Sequence, residues 1–305
     1  MKPIGNSLFI ESDTNTMQQR PDHIQGLIFA MLGALSLTPD GLLVRLVSAH
    51  DWTIVFWRGL IIACCLFLYQ LFFRRTAGLK ALWPHHLKEW LCIILAAFGT
   101  LFFVLSITHT TVANALVILS TMSLFAALLS MIFLKERIPL RTVIAMACAI
   151  VGIVIVFADN LDGSGLDGKL FALSCAFVTA ANMTVIRSEK SINVLNVFAW
   201  GGLGICIPAV FIAPYLVINI QSLITLGAMG GLNAFAFVML GLGAKLIPSA
   251  EVSLLMLLET IIGPIWVWQV LNEVPSLNAL FGGAIVVSTL ALHSLASLRS
   301  HKKRA

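Results

Sequence analysis

GLIFAMLGALSLTPDGLLVR, residues 26–45, is a continuous apolar run bent near its end by Pro39 and carrying a carboxylate, Asp40, beside the bend. Its apolar positions do not alternate with period two, and it is long enough to cross a hydrocarbon core of about 30 Å as a helix. In lipid every backbone amide has to be bonded inside its own helix or inside a closed barrel, so runs of this kind mean helices. The same reading extends along the whole chain. It predicts ten spans, at 24–47, 52–73, 87–107, 110–134, 140–158, 168–187, 194–217, 222–244, 248–270 and 277–298, joined by connections too short to fold as separate domains.

The opening run also recurs. An offset of 142 (187 − 45) lays it on GKLFALSCAFVTAANMTVIR, residues 168–187, pairing Gly26 with Gly168, Phe29 with Phe171, Ala34 with Ala176 and Arg45 with Arg187. A second offset, 137 (273 − 136), lays LKERIPL (134–140) on LNEVPSL (271–277) and pairs Ala113 with Ala250. Apolar helices resemble one another by chance, but two gapless alignments that carry charged anchors are harder to attribute to it. Each half holds five spans. An odd number makes the second half enter the membrane from the opposite side, so the expected fold class is an all-α integral membrane protein of ten transmembrane helices in two inverted five-helix repeats. Inverted halves that exchange conformations suit alternating access to a site at the midplane.

Composition agrees with a lipid environment. Apolar residues make up 59% of the 305 residues and charged ones 11%, with a mean hydropathy of +0.97, far from the balance of a water-soluble domain. The net charge of +5 would suggest an anionic partner such as nucleic acid, but its placement argues against that. With both termini cytoplasmic, sixteen of the nineteen Lys and Arg residues lie on the inner side, Lys169 alone lies outside, and Arg45 and Arg58 fall within spans. This is the positive-inside pattern for an even number of helices. It places the chain in the inner membrane and the 159–167 linker in the periplasm. The resulting organisation is a cytoplasmic tail (1–23), a first repeat (24–158), the linker (159–167), a second repeat (168–298) and a basic tail (299–305). No signal-peptide pattern opens the chain. The six cysteines all fall inside predicted spans with no metal-type spacing, so they read as packing residues.

With these residues in view, the chain resembles the drug/metabolite transporter superfamily, in its ten-helix branch built from two EamA domains. The resemblance rests on Arg58 in FWRGLIIA, on the span ending LKERIP, on the matching LNEVPS and on the Pro-Asp pair followed by LLVRL. It implies secondary-active transport of a small metabolite (an amino acid, a nucleotide-type or amine-type solute, or a drug) by an exporter or exchanger, with an uptake carrier for a sulfonium or nucleoside compound as the alternative. The partners so implied are a small-molecule substrate and the lipid bilayer; the intramembrane carboxylates Asp40 and Glu259, with no nucleotide site in the chain, add protons as the expected coupling ion.

Polar groups inside spans are costly and normally face the bundle interior. Asp40, beside the Pro39 bend, is a candidate for binding or coupling; its structural alternative is an ion pair with Arg45 or Arg58. Glu259, at the centre of the ninth span, has Met122 as its repeat partner, so symmetry does not require a carboxylate there. It suits proton coupling or a cationic substrate, against a protonated packing role. Glu251, eight residues earlier, is rotated by a net 80° and borders the same side, unless it is only an interfacial charge. Asn114 is the repeat partner of Glu251 and Asn182 that of Asp40, which predicts a polar path through the first, fourth, sixth and ninth spans; helix-to-helix hydrogen bonding is the plainer reading. Arg58 either pairs with Asp40 or meets an anionic group. Trp57 and Trp266 either line an apolar cavity or serve as interfacial anchors. A membrane enzyme is the competing class, but the chain has no metal-binding HExxH helix, no phosphate-cradling glycine loop and no nucleophile beside a base. No catalytic residue, metal or cofactor is therefore expected.

Overall fold

The computed structural model describes residues 8–73, 83–135, 140–158, 165–189, 191–247 and 249–302. Residues 136–139 of the LKERIPL motif, most of the 159–167 linker and the last three residues lie outside these. Every element among the described residues is a helix.

The first span is two helices, α1 (Leu8–Leu37) and α2 (Asp40–Leu46). The reason is local. Pro39 has no N–H to continue the α1 ladder, and the Thr38 N–H and hydroxyl both turn back to the Leu35 carbonyl, at 3.2 and 2.9 Å. Pro39 then caps the new helix, its carbonyl accepting from Leu43 N at 2.9 Å. α1 begins well ahead of the apolar run, inside the segment expected to be a tail. α3 (Asp51–Phe73) and α4 (Leu87–His109) follow, with Glu89 reaching back to accept from His85 N and so close the start of α4.

The fourth span is broken as well, into α5 (Val112–Ser120) and α6 (Met122–Leu134). Thr121 stands between them, and the hydroxyls of Ser120 and Thr121 return to the carbonyls of Val117 and Ile118 at 2.7 and 2.6 Å. Such back-bonding competes with the helix ladder. α7 (Leu140–Phe157), α8 (Leu166–Ser188), α9 (Val194–Ile212), α10 (Ile220–Gly243), α11 (Ser249–Leu271) and α12 (Leu277–Lys302) complete the chain. α9 stops at Ile212, short of the expected 217, because Ala213 precedes Pro214 and takes an extended backbone (ψ 128°).

Nine apolar helical runs among the described residues are long enough to cross a membrane, counting α1–α2 and α5–α6 as one run each. α7, with its apolar stretch Thr142–Phe157, is shorter. The protein is an all-α, multi-pass membrane protein.

Packing follows one scheme. α4 lies on α8 and α10 lies on α1; α4 touches α9 and α10 touches α3; α3 crosses α9 and α7 crosses α12. Exchanging the first five spans for the last five leaves this list unchanged. The left-handed residues Lys135 (φ 56°) and Asn272 (φ 55°) end α6 and α11 at positions one repeat offset apart. Both self-crossings are glycine contacts. A β-carbon on Gly59 would lie 2.5 Å from the Gly202 carbonyl oxygen, and one on Gly152 would lie 2.8 Å from that of Gly282. The first joins α3 to α9 and the second joins α7 to α12, while α2 packs against α4, α10 and α11.

Candidate functional site

The break at Pro39 puts Asp40 in the first turn of α2, where its side chain turns into the bundle instead of toward lipid. Arg58 of α3 meets it with both terminal nitrogens, Nη1 to Oδ1 at 2.6 Å and Nη2 to Oδ2 at 2.8 Å. Asn233 of α10 donates to Oδ1 at 2.8 Å while also donating to the Met229 carbonyl at 3.0 Å. The guanidinium lies 4.6 Å from the ring centre of Phe103 on α4 and 3.3 Å from Met229 Sδ. Asp40 and Arg58 are 3% and 6% exposed. Two charges buried this far are tolerable only when they face each other in good geometry with their remaining donors and acceptors largely met. Of the two arginines considered for Asp40, Arg58 is the partner.

Arg45 turns elsewhere. Its Nη2 donates to the Thr110 carbonyl at 2.8 Å and lies 3.3 Å from Glu273 Oε2, while Glu273 Oε1 accepts from Val112 N at 2.9 Å. One ion pair therefore ties α2, the α4–α5 connection and the α11–α12 connection together. His109 Nε2 stands 3.7 Å from Asp51 nearby.

Glu259 of α11 is different. It lies deep among packed atoms, within the electrostatic reach of Asp40, Arg58 and Cys175, yet its side chain is only half-buried. Part of the residue is thus still reachable by a water-sized probe. No hydrogen bond or ion pair links it to a described residue. Gly263, one turn on, would place a β-carbon 3.5 Å from the Thr38 carbonyl, and Trp266, two turns on, donates from Nε1 to Thr38 Oγ1 at 3.1 Å. The face of α11 that holds Glu259 thus looks at the break in the first span.

The other candidates separate. Asn114 and Asn182 are both about 1% exposed, with their Oδ1 atoms lacking a hydrogen-bond partner among the described residues. They face the interior, but nothing joins them directly to Asp40 or Glu259. Glu251 meets His23 of α1, whose Nε2 is 2.9 and 3.2 Å from its two oxygens; it is a contact between the starts of α11 and the apolar part of α1. Trp57 does not stand free in a cavity. Its Nε1 donates to the Leu216 carbonyl at 2.9 Å, beside a Thr53 hydroxyl donating to the Tyr215 carbonyl at 2.6 Å, so both hold the extended connection after α9. An open apolar groove of about 370 Å³, lined by Phe102, Phe125, Leu173, Ser174, Phe177 and Val178, contains none of the candidates. No group of three metal-ligating side chains occurs among the described residues.

Asn233, Phe103 and Met229 escaped the sequence reading. Asn233 carried a signal, a lone amide inside an apolar run. The other two carried none, since apolar residues in an apolar helix do not announce their contacts.

A family model described as the EamA-like transporter family matches residues 24–158. This part of the chain is similar to the EamA-like transporter domain. No curated protein matches the chain. A solved structure, described only as a crystal structure of a protein, aligns with a TM-score of 0.64 at 17% identity, covering 90% of this chain and 98% of its own; at that identity it supports the fold alone. EamA-like proteins are transporters of small solutes and not enzymes, and a substrate and a bilayer are the partners this implies.

Proposed function

We propose that the protein is a secondary-active carrier of the inner membrane with both termini cytoplasmic, an exporter or exchanger whose two halves are inverted and alternate in exposing a central site. Protons are the coupling ion. The observation that carries this reading is the contrast at the centre of the bundle: Asp40 is committed to Arg58 and Asn233, whereas Glu259 is left partly exposed with no partner among the described residues. A coupling carboxylate has to bind and release its proton on alternate sides, so it needs freedom to change partners. This narrows the coupling role, which the sequence assigned to Asp40 and Glu259 together, to Glu259. The helix contacts named above, which survive exchange of the halves, and the matched left-handed caps support the inverted arrangement.

The experiment begins with a thermal-shift screen of purified protein against amino acids, nucleosides, amines and sulfonium compounds. The stabilising solute is then followed in proteoliposomes under an imposed proton gradient. Glu259→Gln, which keeps the size and cannot titrate, should abolish accumulation; exchange that survives assigns Glu259 to coupling alone, and exchange lost with it assigns Glu259 to the solute as well. Accumulation at the parent level in Glu259→Gln would remove Glu259 from the mechanism. Orientation is checked separately by cysteine labelling in intact cells: protection at position 302 with labelling at position 164 is expected, and the reverse would invert the topology.

A further inference from the structure

The charge count at the centre is uneven. Arg58 offers one positive charge, and Asp40 takes it through both terminal nitrogens. One face of the guanidinium is covered by Phe103, and Nε is its only nitrogen without a partner. The positive charge of that group is already matched by the Asp40 carboxylate. An incoming anion would therefore meet no unmatched positive charge here and would also face Glu259. A cation meets the opposite situation, because a Glu259 carboxylate that gives up its proton has no hydrogen-bonded or ion-paired partner among the described residues.

Two further features point the same way. α1 ends at Leu37 inside the bundle, and the last carbonyls of a helix carry its partial negative charge; broken helices present such ends to cations in transporters. The Thr38 carbonyl faces Gly263, one turn from Glu259. Trp266, on the same face of α11 and fixed by its bond to Thr38, offers an indole ring, the aromatic group that attracts cations most strongly.

We infer that the central site takes a monovalent organic cation, an onium group on an apolar body, held by the Glu259 carboxylate at the break between α1 and α2. This rests on the transport reading above and narrows its cargo by charge.

The test is isothermal titration of the purified protein at neutral pH with benzyltrimethylammonium, benzyl alcohol and benzoate, which share a ring and differ in charge. The ammonium should bind, with the alcohol and benzoate at least tenfold weaker. Glu259→Gln should weaken ammonium binding at least tenfold, while Glu259→Asp, which keeps the charge, should stay within about threefold of the parent. Asp also guards against a folding artefact, since both variants must elute as the parent does. The inference is overturned if benzoate or the alcohol binds as well as the ammonium, if Glu259→Gln binds it like the parent, if the ammonium does not bind, or if only sodium ions give a Glu259-dependent signal. Counterflow in proteoliposomes separates this from the broader reading. Ammonium bound through Glu259 but never moved defeats the transport reading and keeps the inference. Accumulation of a neutral or anionic solute, unaffected by the ammonium, does the reverse.

Discussion

Asp40 and Glu259 are two carboxylates in one electrostatic neighbourhood, and they are treated in opposite ways. Around Asp40 the chain supplies a bidentate arginine, an asparagine amide and an aromatic face beneath the guanidinium. Around Glu259 it supplies only charges at a distance, and no hydrogen bond or ion pair among the described residues. Depth in the membrane therefore does not by itself mark a working carboxylate. What distinguishes the two is whether the protein has already met the group's demand for partners. A satisfied charge holds helices together, and an unsatisfied one is left for something that comes and goes.

This difference orders the expected stability losses. Arg58→Leu strands Asp40 in the interior and should cost about 3–5 kcal/mol, read as the fall in unfolding free energy in detergent. Combining it with Asp40→Asn should recover part of that loss, because the second change removes the stranded charge; a double variant worse than the single would deny that the pair acts as a unit. Asn233→Ala removes one hydrogen bond to a charged acceptor and should cost about 1.5–3 kcal/mol in the same measurement. Glu273→Gln, at the half-buried bond to Arg45, should cost about 1 kcal/mol, and less at high salt. An effect that does not shrink with salt would mean that Val112 N, not Arg45, is the important contact. Glu259→Gln should be smallest, within about 0.5 kcal/mol, since no partner is lost. A loss approaching that of Arg58→Leu would erase the contrast.

Much of this was legible in the sequence because lipid leaves few options. Span lengths follow from backbone hydrogen bonding, and Pro39 marked the first break. Asp40–Arg58 was one of two pairings open to Asp40, and linear spacing could not choose between Arg45 and Arg58 because the choice depends on how α2 is rotated after the break. The break at Thr121 was not legible. Threonine is common in membrane helices, and only the direction of its hydroxyl reveals the interruption. The partner of Trp57 was not legible for a related reason: an indole in a span satisfies its N–H wherever a carbonyl is offered, here by the connection that begins when Pro214 stops α9. Glu259 stood out in the sequence by its place in the span, but its lack of a partner became visible only when every neighbouring helix was in place.

The glycine crossings bear on which substitutions the chain tolerates. At Gly59 and Gly202 the obstacle to any larger residue is the facing backbone, 2.5 Å from the new β-carbon in either direction, and a backbone cannot swing aside as a side chain does. Alanine and tryptophan should be nearly equally harmful there, so a saturation map of these columns would be uniformly dark and blind to chemistry. Gly204, two residues beyond Gly202, and Gly227, Gly231 and Gly241 have nothing within 4 Å of an added β-carbon. Those columns should accept alanine freely. Glycines only two residues apart on one helix thus differ in permissiveness according to whether another main chain lies across from them.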